Sequence, residues 1–160
     1  LAAVTTPDPR AVLALDLGTS AAKAGVVALD GRLRGDARAA YPLLLEGEAG
    51  RAEQDPDAWW VALREALAVA MAQAAADGPL ELIAICCVGQ GPTLVPTAGD
   101  GRPVGNAVTW LDRRSGEETA SVAAALGRHG WNVTLLGSAR RLAVAAPEIA
   151  SRASWFLSAW

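Results

Sequence analysis

Two apolar runs, 11–15 and 21–29, flank the short stretch Asp16-Leu17-Gly18-Thr19-Ser20. An apolar run, a tight Gly-Thr-Ser turn and a second apolar run predict a β-hairpin. Asp30-Gly31, a strong short hairpin-turn signal, predicts a return into a third strand over 32–41, and so an antiparallel meander. Pro42 limits further sheet pairing, and the polar, Gly-containing stretch 46–54 reads as a loop. Asp55-Pro56-Asp57 has the form of a helix start. Asp55 can cap, Pro56 suits the first helical position, and Asp57 favours the positive end of the dipole. Trp59, Leu63, Leu67, Met71 and Ala74 recur at helical spacing and predict the buried stripe, with Arg64, Glu65 and Gln73 off it. Asp77-Gly78-Pro79 ends the helix.

The stretch 80–88 is almost wholly apolar and contains β-branched Ile83, Ile85 and Val88, which predicts a strand covered on both faces. A helix leading into such a strand implies a parallel return to the sheet. Gly89-Gln90-Gly91-Pro92 then falls at the strand's C-terminal end, where ligands usually sit in open α/β sheets. Short strands are predicted over 93–97 and 107–110, with a turn at Gly99-Asp100-Gly101. A helix is predicted over 115–126, a loop over 127–137, and two short helices over 138–146 and 147–153. Alanine fits many patterns, so the Ala-rich stretches define helix faces weakly.

A length of 160 residues suggests one domain, able to bury roughly 68–70% of its unfolded surface. The net charge of −3 gives no basic footprint for nucleic acid. No apolar stretch reaches the ~18 residues of a membrane span, and the first ten residues lack the form of a signal peptide. These features lead to the expectation of a cytoplasmic protein with neither nucleic acid nor membrane as partner. Cys86 and Cys87 are adjacent in an apolar run and point to opposite faces of a strand, so they are expected to be buried thiols rather than a disulfide. His129 has no neighbour at metal-ligand spacing and is expected on the surface. The chain starts at Leu1 and stops at Trp160, just after apolar Trp155-Phe156-Leu157, which leads to the expectation of a piece of a longer protein.

The opening turn carries the first candidate chemistry. Gly18 can take a positive φ, Thr19 and Ser20 add hydroxyls, and together with backbone N–H groups they can form a concavity for phosphate oxygens. Asp16 cannot bind phosphate, but a carboxylate there can hold Mg²⁺ through water. Five residues are also what a plain hairpin needs, with Asp16 accepting a turn hydrogen bond.

Further segments follow in order. Lys23 comes shortly after the turn; then come Glu53-Gln54-Asp55-Pro56 with Trp59-Trp60, Gly89-Gln90, and Asp100-Gly101-Arg102-Pro103. Thr109-Trp110-Leu111-Asp112-Arg113-Arg114 and Pro147-Glu148 ahead of Trp155-Phe156-Leu157 complete the series. Together these segments make the chain resemble the N-terminal region of the FGGY family of carbohydrate kinases. The resemblance implies an α/β domain, the ribonuclease H-like half of an actin-like ATPase fold. Its mixed sheet has an antiparallel three-strand meander followed by a helix and a parallel strand. It also implies transfer of the γ-phosphoryl group of ATP, with Mg²⁺, to a sugar or polyol hydroxyl, and it makes residues 1–160 an incomplete N-terminal domain.

Carried over residue by residue, the resemblance makes Gly18, Thr19 and Ser20 a phosphate-binding turn and Asp16 a supporting group for Mg²⁺. Lys23 either offsets phosphate charge or is an exposed strand lysine. Gln90 and Gly91 fall at the sugar pocket. Trp110 offers a ring face to the apolar side of a polyol, and Asp112 a carboxylate to its hydroxyls. Trp59 and Trp60 are expected to pack rather than to touch ligand. Xylulokinases typically carry Met-His after the Gly-Gln pair, where this chain has Gly91-Pro92, so a five-carbon ketose is not implied. The family's base Asp and second domain lie beyond Trp160. Another actin-like ATPase and a non-catalytic remnant are the competing readings. An uncovered sheet edge would favour self-association, including a homodimer.

Overall fold

The computed structural model describes residues 8–126 and the pair Ser154–Trp155. The expected loop over 127–137, the helices over 138–153 and His129 lie outside the described residues. The chain divides into two compact units: one holds the chain up to Tyr41 with Trp59–Gly89, the other Pro42–Ala58 and the chain from Gln90 onward.

The first unit is built on a four-stranded sheet of β1 (Arg10–Leu17), β2 (Ala21–Ala28), β3 (Leu33–Ala40) and β5 (Glu81–Gly89), in the order β3-β2-β1-β5. β1–β2 and β2–β3 are antiparallel and β1–β5 is parallel, so the predicted meander and parallel return are both present. Gly31 closes the β2–β3 turn at φ 88°, the positive value that favours Gly. α1 (Pro56–Ala76) starts where Asp55 predicts: the backbone N–H of Asp57 donates to Asp55 Oδ1 at 2.9 Å.

Burial runs along Ala62, Ala66, Ala70 and Ala74. The expected stripe residues Trp59, Leu63, Leu67 and Met71 are only half-buried flanks of that line, and Trp60 is exposed. The reason lies in β3. A Cβ built on Gly35 would fall 2.2 Å from the Ala70 carbonyl oxygen, so the helix backbone lies directly on the strand and leaves room only for alanine. The sheet residues that point the same way are correspondingly small: Ala11, Ala22, Ala24 and Ala39 are buried beside Leu13 and Val26.

A register shift between Val26 and Val27 leaves Arg34 bulged out of β3. Its guanidinium donates to the carbonyls of Ala74, Gly78 and Pro79 at 2.9–3.0 Å, and Nε lies 3.4 Å from Asp77 Oδ2. α1 has no basic residue in its last turn, so β3 supplies the cation that its C-terminal carbonyls favour. Arg34→Met is expected to cost about 2 kcal/mol, since hydrogen bonds to a charged group are lost and carbonyls are left short of donors. Thermal unfolding should then fall by roughly 4–8 °C, and an unchanged midpoint would refute this capping role.

Two expectations are corrected here. β5, expected to be covered on both faces, is exposed along all nine residues. Among the described residues it is the sheet's edge strand, and the helix approaches through β3 at the opposite edge. Cys86 and Cys87, expected to be buried, are therefore both exposed free thiols.

The second unit contains β4 (Glu53–Gln54), which lies inside the stretch expected to be a loop and pairs antiparallel with β7 (Ala107–Val108). A strand of two residues is shorter than the alternating run by which sequence periodicity reveals a strand. β6 (Pro96–Thr97) pairs with β8 (Ser154–Trp155), and α2 spans Gly116–Leu126, close to its predicted bounds.

Candidate functional site

In the first unit, the β1–β2 turn is closed by the Gly18 N–H donating to the Ala21 carbonyl at 3.0 Å. Gly18 does not have a positive φ, contrary to the sequence expectation. Glycine is favoured there by close approach instead, because a Cβ would fall 3.3 Å from the Ala21 oxygen. Tyr41 braces this turn twice. Its N–H donates to the Ser20 carbonyl at 3.3 Å, and its hydroxyl donates to the Gly18 carbonyl. The Tyr41 ring rests against Trp59, with centroids 6.5 Å apart. Burial, and then the negative charge of Asp16, push the Tyr41 hydroxyl pKa up, so it stays a donor. Two carbonyls of the turn, those of Gly18 and Ser20, are thus tied to Tyr41.

Asp16 and Lys23 face each other across the β1–β2 ladder and form an ion pair at 2.9 Å. Arg38, opposite Lys23 in the β2–β3 ladder, reaches Ser20 Oγ at 3.4 Å. An open cavity of about 510 Å³ runs over this side of the sheet, lined by Asp16, Lys23, Arg38, Cys86 and the small residues Ala14 and Gly25. The lining sets two cations, Lys23 and Arg38, against two carboxylates, Asp16 and Asp36, with Lys23 paired to Asp16. Backbone N–H groups of such a turn together with these cations can meet an anionic group, and the carboxylates a cation beside it.

In the second unit, Gln90 begins the chain after β5 and donates from Nε2 to Gln54 Oε1 at 2.5 Å. Gln54 is fully buried, while Gly91 is exposed. The segment after β7 is fastened to β4 by Thr109, whose N–H and Oγ1 both donate to the Ala52 carbonyl, at 3.0 and 2.8 Å. Trp110 projects from this segment and is 42% exposed. Asp112 is 2% exposed and accepts from the Ala52 N–H at 2.9 Å, the Arg114 N–H at 3.0 Å and the Arg114 guanidinium at 2.7 Å. Arg114 also donates to Glu53, which accepts from Arg51 and Asn106 as well. Burial works to raise the Glu53 pKa, but donors from Asn106, Arg51 and Arg114, with the Arg114 charge, hold it below the ordinary value.

The structure thus gathers Asp16, Gly18, Thr19, Ser20 and Lys23 at one turn of the first unit, and places Gln90, Gly91, Trp110 and Asp112 in the second. Sequence reasoning missed Tyr41, Gln54 and the Arg114–Glu53 pair as parts of these groups. Gln54, Glu53 and Arg114 stand inside motifs already singled out. Tyr41 had no signal beyond its place at the end of the third strand.

Residues 11–136 match the model of the FGGY family of carbohydrate kinases, N-terminal domain. A glycerol kinase of Gloeobacter violaceus is 32% identical over 149 residues, covering 92% of this chain and 28% of the relative. A xylulose kinase of Bacillus subtilis is 31% identical over 123 residues, covering 77% of this chain and 24% of the relative. Among solved structures, the xylulose kinase of Rhodospirillum rubrum superposes with a TM-score of 0.84 at 24% identity, over 93% of this chain and 32% of the other. The Plasmodium falciparum glycerol kinase with ADP gives 0.77 at 18% identity, over 94% and 33%. The chain belongs to the FGGY family of carbohydrate kinases and has the actin-like ATPase fold of its members. It spans about a quarter to a third of the length of the relatives it matches.

Proposed function

We propose that residues 1–160 are the incomplete N-terminal domain of a kinase that moves the γ-phosphoryl group of ATP to a sugar or polyol hydroxyl. The observation that carries this reading is the Gly18–Ser20 turn, braced by Tyr41 and flanked by Lys23 and Arg38. In this reading Gly18, Thr19 and Ser20 meet the β/γ phosphates, and Lys23 and Arg38 offset their charge. Mg²⁺ usually keeps several waters and takes one or two carboxylates beside substrate phosphates. Asp16, a half-buried carboxylate beside the turn, fits a contact through water. The ion would help neutralise charge on the transferring group.

Gln90 and Gly91 belong to the sugar pocket in this reading, and the exposed Trp110 ring covers the apolar face of the polyol. Asp112, to which the resemblance gave the polyol hydroxyls, is 2% exposed and already accepts through both oxygens from Ala52 and Arg114, so in this reading it adjoins the pocket by holding the turn that presents Trp110. A cytoplasmic setting is part of the reading. No helix among the described residues is long and apolar enough to cross a membrane.

The test is a radiolabelled-phosphate assay on a full-length polypeptide containing this chain, with a panel of ketoses and polyols. Transfer to at least one of them is expected, and transfer to none would overturn the reading. The isolated chain should show no turnover above buffer. It lacks the expected base, typically worth about 10²–10⁴-fold, and one wall of a site whose positioning is worth roughly 7–11 kcal/mol. Turnover by the isolated chain would place the base within these residues.

The exposed β5 edge, with Ile85 64% and Val88 56% exposed, further supports self-association of the isolated chain, as a homodimer or larger. Light scattering at high concentration should give more than the monomer mass; a single monomer peak would refute this.

A further inference from the structure

Gln54 and Gln90 form a side-chain amide pair that none of the family roles above requires. Gln54 is fully buried in β4, whose register with Ala107 fixes its backbone, and it makes further interactions of its own. Its Oε1 takes a hydrogen from Gln90 Nε2 at 2.5 Å. An amide has its acceptor on one side and its donors on the other, so capturing Nε2 also aims Oε1. Gln90 Oε1 is buried and has no hydrogen-bond partner. Thr93 Oγ1, in the same loop, is a second buried polar atom without one. Buried acceptors are rarely left so, and each one calls for an explanation.

We propose that Gln54 is a positioning residue for the substrate site: it locks the Gln90 amide so that Oε1 is presented as an acceptor to a hydroxyl of the sugar or polyol. This rests on the reading given under Proposed function. The site then asks for a donor at that point. A hydroxyl satisfies it; a deoxy or fluoro position does not, because neither carries a hydrogen to give. A buried acceptor left unpaired makes such analogues poor ligands. Gln54→Glu keeps an acceptor facing Gln90 Nε2, whereas Gln54→Leu keeps the volume and removes the acceptor.

Two measurements test this. The first follows the Gln90 side-chain amide of the chain by ¹⁵N NMR. In the wild type and in Gln54→Glu its protons should exchange slowly; in Gln54→Leu they should exchange like a free amide. Equal exchange in all three overturns the pairing. The second uses the full-length kinase. Gln54→Leu should raise KM for the polyol about tenfold with KM for ATP unchanged, and Gln54→Glu should restore most of it. Equal rises in both Michaelis constants, or none, would refute the positioning role. If the wild-type kinase phosphorylates no polyol or ketose, the reading under Proposed function fails, and the amide exchange still decides whether Gln54 holds Gln90.

Discussion

Gly35→Val is expected to prevent α1 from seating on the sheet, and Gly35→Ala to go most of the way there. The added Cβ would fall 2.2 Å from the Ala70 carbonyl oxygen, 2.9 Å from the Ala74 nitrogen and 3.0 Å from Gln73 Cβ. Two of these are backbone atoms of a continuous helix, so no rotamer change relieves the overlap. Overpacking usually costs about 1–3 kcal/mol because side chains and backbone can shift. Here the helix itself must lift, and it would pull away from the Arg34 guanidinium that holds its end. A loss of about 3 kcal/mol or more follows for Gly35→Ala, which at this size lowers the thermal midpoint by roughly 6–12 °C or more. Gly25→Ala is the control: its Cβ would meet only Leu33 Cδ1, at 3.7 Å, so a change within about 0.5 kcal/mol is expected. Equal midpoints for the two variants, by circular dichroism, would refute the close approach.

The same contact explains what the sequence could and could not reveal. The meander was legible because each strand is bounded by a turn with its own chemistry, at Gly18 and at Asp30-Gly31. The ends of α1 were legible because Asp55-Pro56 and Asp77-Gly78-Pro79 act locally. Its buried face was not. Periodicity assigns the core to the large residues Leu63, Leu67 and Met71, yet the spacing between helix and sheet is set from outside the helix, by Gly35. Once the backbones touch, alanine is the only residue that fits, and the larger side chains are displaced to the flanks.

Burial of β5 was overestimated for a related reason. Apolar content shows what a strand favours, whereas coverage depends on neighbours elsewhere in the chain. The candidate site divides along the same line. The residues around Asp16 and Gly18 announce themselves because the turn is local. Tyr41 joins that turn, and in the second unit Gln54 joins Gln90 and Arg114 joins Glu53, through long-range hydrogen bonds that no spacing rule encodes.

Asp112→Ala is expected to be the most disruptive change in the second unit. The carboxylate is 2% exposed and compensates Arg114, whose side chain is only 15% exposed. Removing one partner of a buried pair costs about 3–5 kcal/mol when the other charge is left alone; Arg114 keeps Glu53 as a partner, so the lower end, about 3 kcal/mol, applies. The change also orphans the Ala52 N–H. A fall of roughly 6–12 °C in the midpoint follows. Asp112→Asn should fall between, because one amide oxygen can still accept from Ala52 while its NH₂ meets the Arg114 donors. The charge account makes a sharper claim than loss of contacts alone. In the double variant Asp112→Ala/Arg114→Met no buried charge is left over at that point, so the double variant should be less destabilised than the sum of the singles.

Acid sensitivity follows from the same network. Glu53 has a folded pKa below its ordinary 4.5, so its stabilisation is full above that value and is lost as pH falls through the lowered folded value. Glu53→Gln should flatten the stability profile in that window and leave the slope at neutral pH unchanged. Additive losses in the Asp112/Arg114 pair, together with a Glu53→Gln profile as steep as wild type below pH 4.5, would show that these charges do not act as one network.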